Sequence, residues 1–291
     1  MIVYLLLAVI FNLLLLVIVK YFERFNIPPL QGIVFNYFFA GSTALLFNGE
    51  SIHLKEIVNS DYFLVSLLLG SLFISVFYLI SLTAQRMGMA VVSVANKMSV
   101  VIPVIAAFVF YNDTVSSLKI LAILLALVSV YLSTLSEKKA NDSGKINSAF
   151  LFPILIFFGS GIIDALVNYA NKKLIHNETD NALFSALLFF VAGLIGIVFL
   201  IYQIFIKKQT FQFKSILGGL VLGIPNFFSI YFILKALETG VFESSELYPI
   251  LNILIVASSA IVGYLLFKEK LNKINIVGLI LSLISISLLM I

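Results

Sequence analysis

The chain has no cysteine, so disulfides, thiol nucleophiles and cysteine metal sites are excluded. It has two histidines, His53 and His176, and both fall between apolar runs, which argues against a histidine metal centre. No metal and no cofactor is expected. Charge is also scarce: 11% of the 291 residues are charged against 62% hydrophobic. That leaves too little polar surface to clothe a water-soluble domain of this length. Short alternating segments of the kind a β-barrel needs are absent, so helices are the remaining way to satisfy a backbone in lipid.

What is present is a series of ten apolar runs, each about the length of a bilayer span. They cover Ile2 to Val19, Leu30 to Phe47, Tyr62 to Ala84, Met89 to Tyr111 and Leu118 to Leu135, then Ala149 to Ala170, Ala182 to Ile206, Ser215 to Leu237, Val241 to Phe267 and Leu271 to Ile291. A polar linker over residues 136–148 divides them into a first half, 1–135, and a second, 149–291. The first run lacks a basic n-region and a small-residue cleavage site before Lys20, so it is expected to be a retained helix.

Net charge is +4, which in a membrane chain reports orientation before it reports any partner, so no nucleic acid is expected. The odd-numbered connections carry Lys20, Arg24, Arg86, Lys138, Lys139, Lys145, Lys207, Lys208, Lys214, Lys268, Lys270 and Lys273; the even-numbered ones carry Lys55, Lys119, Lys172, Lys173 and Lys235. On the positive-inside bias the odd connections are cytoplasmic and both termini face outward. An even number of spans puts the two termini on one side in either case.

The halves repeat. Ala40-Gly41 and Ala192-Gly193 lie 152 residues apart, as do Gly88 and Gly240. From Asn96 and Asn252 onward the offset is 156, through Asp113 and Glu269 to Ala122 and Gly278. Five spans per repeat force the halves into opposite orientations, a design that places a pathway between two halves able to rock about a midplane site. The fold expected is therefore all-α integral membrane: ten transmembrane helices as two inverted five-helix repeats around a central cavity.

A proline in the fourth helix, an acid at its end and a small residue inside the fifth recur as Pro103, Asp113 and Ala122, then Pro249, Glu269 and Gly278, the acid lying within Phe267-Lys-Glu-Lys-Leu271. Over essentially its full length the chain resembles the drug/metabolite transporter superfamily, EamA-type. The resemblance implies ten helices in two inverted repeats, a central substrate cavity, and export or exchange of small metabolites. It also implies cytoplasmic termini, opposite to the charge count. The proline-to-acid spacing differs between halves, and Phe11-Asn12 stands where the family commonly has a tryptophan-glycine pair.

Polar groups inside the spans carry the functional reading, because each is costly there and usually faces protein or water. Asp164 lies deep in the sixth span with Ser160, Asn168 and Asn171 on the same helical face. A carboxylate at a helix centre costs about 2.5–3.5 kcal/mol on insertion scales, so it should be paired, protonated or wet. Lys97, beside Asn96 and Ser99 in the fourth span, is its candidate partner; the alternative is a lysine that snorkels to the interface. Glu243 and Glu246 open the ninth span on one face, ahead of Tyr248, Pro249 and Asn252, and fit a cation, an amine or a proton relay as well as a helix start. Weaker candidates are the stripe Ser71, Ser75, Tyr78 and Gln85 in the third span and Asn226 in the eighth, where hydrogen bonding between helices explains half such cases. Gly219 and Gly223 form a small-xxx-small packing surface.

These residues point to a secondary transporter in the cell membrane, an exporter or exchanger of amino-acid-like or amphiphilic metabolites working by alternating access. Its partners are a small-molecule substrate, the lipid bilayer and, in one of two mechanisms, protons: either Asp164 or Glu246 exchanges a proton for substrate, or Lys97 and Asp164 are fixed groups for a zwitterion. The alternatives are a membrane-embedded enzyme on lipid-linked substrates or a non-transporting scaffold. No histidine-rich, cysteine or Gly-x-Ser-x-Gly pattern supports the enzyme.

Overall fold

A computed structural model describes residues 2–48, 60–103, 105, 117–134, 151–175, 178–239, 241 and 244–289. They form ten helices: α1 (Ile2–Arg24), α2 (Pro29–Asn48), α3 (Phe63–Met87), α4 (Met89–Met98), α5 (Ser117–Thr134), α6 (Leu151–Lys173), α7 (Glu178–Phe205), α8 (Lys214–Glu238), α9 (Ser244–Phe267) and α10 (Lys273–Leu289). Each apolar run contains a helix, and nine have boundaries within about five residues of the expected ones; in the fourth, expected to reach Tyr111, α4 ends at Met98. The linker 136–148, Asp113 and both histidines lie outside the described residues.

Local chemistry ends these helices where the apolar runs stop. Asn26, Lys208 and Lys268 take left-handed φ values of 49°, 53° and 53° just past α1, α7 and α9. This is the usual way to turn a chain out of a helix, and asparagine tolerates it best. After α1 the Ile27 amide reaches back to Phe22 O at 2.8 Å, and Pro29 then starts α2 at a position where its missing N–H costs nothing. Between α3 and α4 stands a single residue, Gly88, at φ 100°.

Six helices are long and apolar enough to cross a membrane: α1, α2, α3, α7, α8 and α9. The other four contribute shorter apolar stretches, Met89–Pro103, Ser117–Ser133, Leu151–Val167 and Lys273–Leu288. Leu6, Ile10, Leu64, Leu68, Phe199, Phe205, Leu265 and Ile280 are all exposed, an outward apolar face that water penalises and lipid accepts. The chain is a multi-pass membrane protein.

Packing between the halves is reciprocal. α2 packs on α8 as α7 packs on α3; α1 packs on α8 as α6 packs on α3; α4 packs on α6 as α9 packs on α1. Three further pairs are each made of equivalents: α2 with α7, α4 with α9, and α5 with α10. The reciprocity reaches single residues. A Cβ added at Gly41 would lie 3.1 Å from Phe190 Cζ, and one at Gly193 would lie 2.9 Å from Phe38 Cε2. Ser285 Oγ donates to Ala122 O at 2.8 Å, while a Cβ at Gly278 would lie 3.0 Å from Ser129 O. In both pairs the residue number rises along one helix as it falls along the other, so α2 and α7 are antiparallel, as are α5 and α10.

Candidate functional site

The sixth helix presents two exposed faces. Leu151, Leu155, Phe158, Ile162 and Tyr169 are exposed and, at 3.6 residues per turn, fall within about 40° of one line along α6. That stripe is the lipid side. Asp164 is exposed as well, yet it sits two residues from Ile162, about 200° around the helix. Its carboxylate therefore lies on the side of α6 away from that stripe. Ser160, one turn earlier on the same face, is buried. The side chains of Asn168 and Asn171 lie outside the described residues.

Across from Asp164 is α4, which has no lipid side. Every residue from Met89 to Met98 is buried except Asn96 and Lys97, and both of these are half-buried. The helix turns off its axis immediately afterwards, and Pro103 explains why. Proline has no amide N–H to give the carbonyl four residues back, so Ser99 O accepts from Ile102 N at 2.9 Å instead. At this break Ser99 Oγ donates to Asn96 O at 2.5 Å and lies 3.4 Å from Asp164 Oδ2. Lys97 is near enough to act on Asp164 electrostatically. Among the described residues it forms no direct ion pair with it.

A cation and a carboxylate that lie close without touching can each take an opposite charge on one ligand. The position of Lys97 suits this role, since the C-terminal end of a helix carries partial negative charge that favours a cation. Asn96 adds a donor and an acceptor at the same rim. No metal ligand set accompanies them among the described residues.

Other candidates are placed elsewhere or differently engaged. Tyr78 is half-buried on α3. In the stripe around it, Ser71 Oγ donates to Leu68 O at 2.6 Å and Ser75 Oγ to Ser71 O at 2.8 Å, so both hydroxyls are satisfied within their own helix. Gln85 Nε2 donates to Val19 O at 2.9 Å and joins α3 to α1. Asn226 Nδ2 donates to Asn36 Oδ1 at 3.2 Å within the α2–α8 interface, where Gly219 and Gly223 let the two backbones approach. Asn252 is largely buried on α9, the helix that packs on α4. Glu243 and the side chain of Glu246 lie outside the described residues.

One polar junction that the sequence did not disclose ties the halves together. Glu269, just past α9, forms an ion pair with Lys20 of α1 and accepts from the Met89 amide at 2.9 Å, capping the start of α4. Lys20 Nζ also donates to Ala84 O at 2.9 Å. In the sequence Lys20 reads as a loop cation and Glu269 as a repeat signature, and only the repeat gave any signal. A second unforeseen node is Gln31. It donates to Thr210 O at 3.0 Å and accepts from Gln212 N at 2.9 Å, fastening the α7–α8 connection onto α2.

Comparison with known proteins agrees with this architecture. An uncharacterized protein of Haemophilus influenzae is 30% identical over 287 residues, covering 96% of this chain and 94% of the relative. The model of the EamA-like transporter family matches residues 151–291. The chain belongs to that family. It is therefore a member of the drug/metabolite transporter superfamily, whose members are transporters. Within the EamA-matched half stand Asp164, Asn226 and Asn252; Asn96, Lys97 and Ser99 come from the other half.

Proposed function

We propose that the protein is a secondary transporter that exports or exchanges small amino-acid-like or amphiphilic metabolites across the cell membrane. Ten spanning helices, in two inverted repeats of five, move around a central site by alternating access. The observation that carries the reading is Asp164: an exposed carboxylate on the face of α6 opposite its lipid stripe, with Asn96 and Lys97 also opening inward. The antiparallel, reciprocal contacts of α2 with α7 and of α5 with α10 support the inverted arrangement, since a two-fold axis lying across such pairs runs in the membrane plane.

The substrate sits between Lys97 and Asp164, with its acidic group at the ammonium, its basic or hydrogen-bond-donating group at the carboxylate, and its apolar part against the surrounding wall. No covalent chemistry is assigned to these groups. Paired profiling of cells and medium tests the reading, comparing wild type, Asp164→Asn and an empty vector. A compound moved to the medium by wild type, less by Asp164→Asn and not by the empty vector supports export through this site. A wild type indistinguishable from empty vector, both in that profile and in counterflow of amino acids into proteoliposomes, would sink it.

A further inference from the structure

The Lys20–Glu269 junction lies outside the site just described and joins the two halves of the chain. Resting on the transport reading, we propose that Glu269, Lys20 and the Gly88–Met89 backbone form the closure of the pathway at its basic end. Withdrawal of Glu269 from the other two opens that end to the Asp164 site.

Glu269 belongs to the second half, whereas every group that receives it across the junction belongs to the first: the Lys20 ammonium, the Met89 amide and the Gly88 backbone. The carboxylate sits in a socket walled by two glycines. A Cβ at Gly88 would lie 2.7 Å from Glu269 Oε2, and one at Gly263 would lie 2.5 Å from the same atom, so a side chain at either would push the carboxylate out of its place. Gly88 also holds φ at 100°, which keeps the Met89 amide free to point at the carboxylate.

Placement matches the role. Arg24, Arg86 and Lys268 flank the junction in sequence, which marks it as the basic end. A cavity of about 180 Å³ reaches Lys20 there, lined also by Tyr21, Glu23, Arg24, Leu266 and Phe267. Inward from the junction, α4 runs eight residues from Met89 to Lys97, about 12 Å. The pair thus stands between an outer vestibule and the polar site. Lys20 and Glu269 are 13% and 12% exposed, so both have given up most of their water to pair. A desolvated ion pair can exchange its partner for water when the seam parts, which lets it break and re-form where an apolar seam would resist wetting.

The absence of cysteine makes the test direct. An Asn96→Cys reporter, on a half-buried position beside Lys97, is labelled with a membrane-impermeant maleimide in right-side-out and inside-out vesicles, and Lys270→Cys marks which side is the basic end. With the junction intact, the reporter is labelled from the opposite side. Lys20→Met and Glu269→Gln, the latter keeping an acceptor for the Met89 amide, should each raise labelling from the basic side about tenfold. Lys20→Arg should restore the wild-type pattern. Unchanged labelling in both disrupting variants, purified as folded protein, would overturn the closure while leaving transport intact. A reporter unreachable from either side in every variant would overturn the transport reading, and the closure with it.

Discussion

Ser99 Oγ lies 3.4 Å from Asp164 Oδ2 while giving its proton to Asn96 O at 2.5 Å, and Ser99 is also the residue whose carbonyl loses its helical partner to Pro103. One residue therefore links the break in α4 to the carboxylate that opens inside α6. Discontinuous helices at a midplane site are a recurring device of transporters, because the freed backbone groups are tolerated only where they line protein or water.

Asp164→Asn is expected to abolish substrate movement against an imposed pH gradient. Aspartate releases its proton when the site faces the more alkaline side and regains it on the acidic side, whereas an amide cannot titrate. Efflux driven by the substrate's own gradient should persist at a reduced rate. Proteoliposome flux with and without a pH step measures both. Unaltered pH dependence in this variant and in Glu246→Gln would rule out proton coupling through either carboxylate.

Replacing Lys97 separates binding from conformational change. Lys97→Gln removes the charge facing Asp164 and should raise KM for a zwitterionic substrate by roughly tenfold or more, the loss of a charge-assisted hydrogen bond. Lys97→Arg should recover part of that loss. Counterflow kinetics supply KM and the maximal rate; an unchanged KM in the glutamine variant would show that Lys97 takes no part in recognition.

Pro103→Ala restores an amide able to bond Ser99 O and so should straighten the chain after α4. The expected result is a protein at least as stable as wild type but slower in transport, by roughly tenfold. Thermal unfolding in detergent and initial-rate flux, measured on the same preparation, distinguish this from simple misfolding. A faster or unchanged rate would show that the break is not a moving part.

At Gly219, a Cβ would come within 2.8 Å of Asn36 N and of Phe35 C, both backbone atoms that cannot rotate away. Gly219→Val should force α2 and α8 apart, at a cost of about 1–3 kcal/mol, and lower the midpoint of thermal unfolding by several degrees. It should also lengthen the Asn36–Asn226 hydrogen bond. A midpoint equal to wild type would mean that the interface is looser than the helix spacing indicates.

Much of the helical framework was legible because hydropathy and chain length act locally: a run of apolar residues can satisfy its own backbone only by coiling. That Ser160 and Asp164 share a face of α6 opposite the exposed Phe158 and Ile162 was legible too, from helical spacing. The stripe on α3 misled in weight, because a serine hydroxyl can turn back to its own helix, as Ser71 and Ser75 do. Asn226 was a candidate for the pathway, whereas it spends its amide on Asn36 of another helix.

Composition and periodicity alone determined that this chain would be a membrane protein of repeated apolar helices, with a few polar groups buried at their middle. Those properties depend on what each residue does with its own neighbours and its solvent. Only the tertiary structure decided that Glu269 would meet Lys20, 249 residues away, and cap α4. It alone brought Ser99 to Asp164 and left Lys97 facing that carboxylate without pairing to it. Such contacts are set by how helices cross and how closely their glycines let them approach, and no linear spacing encodes that distance.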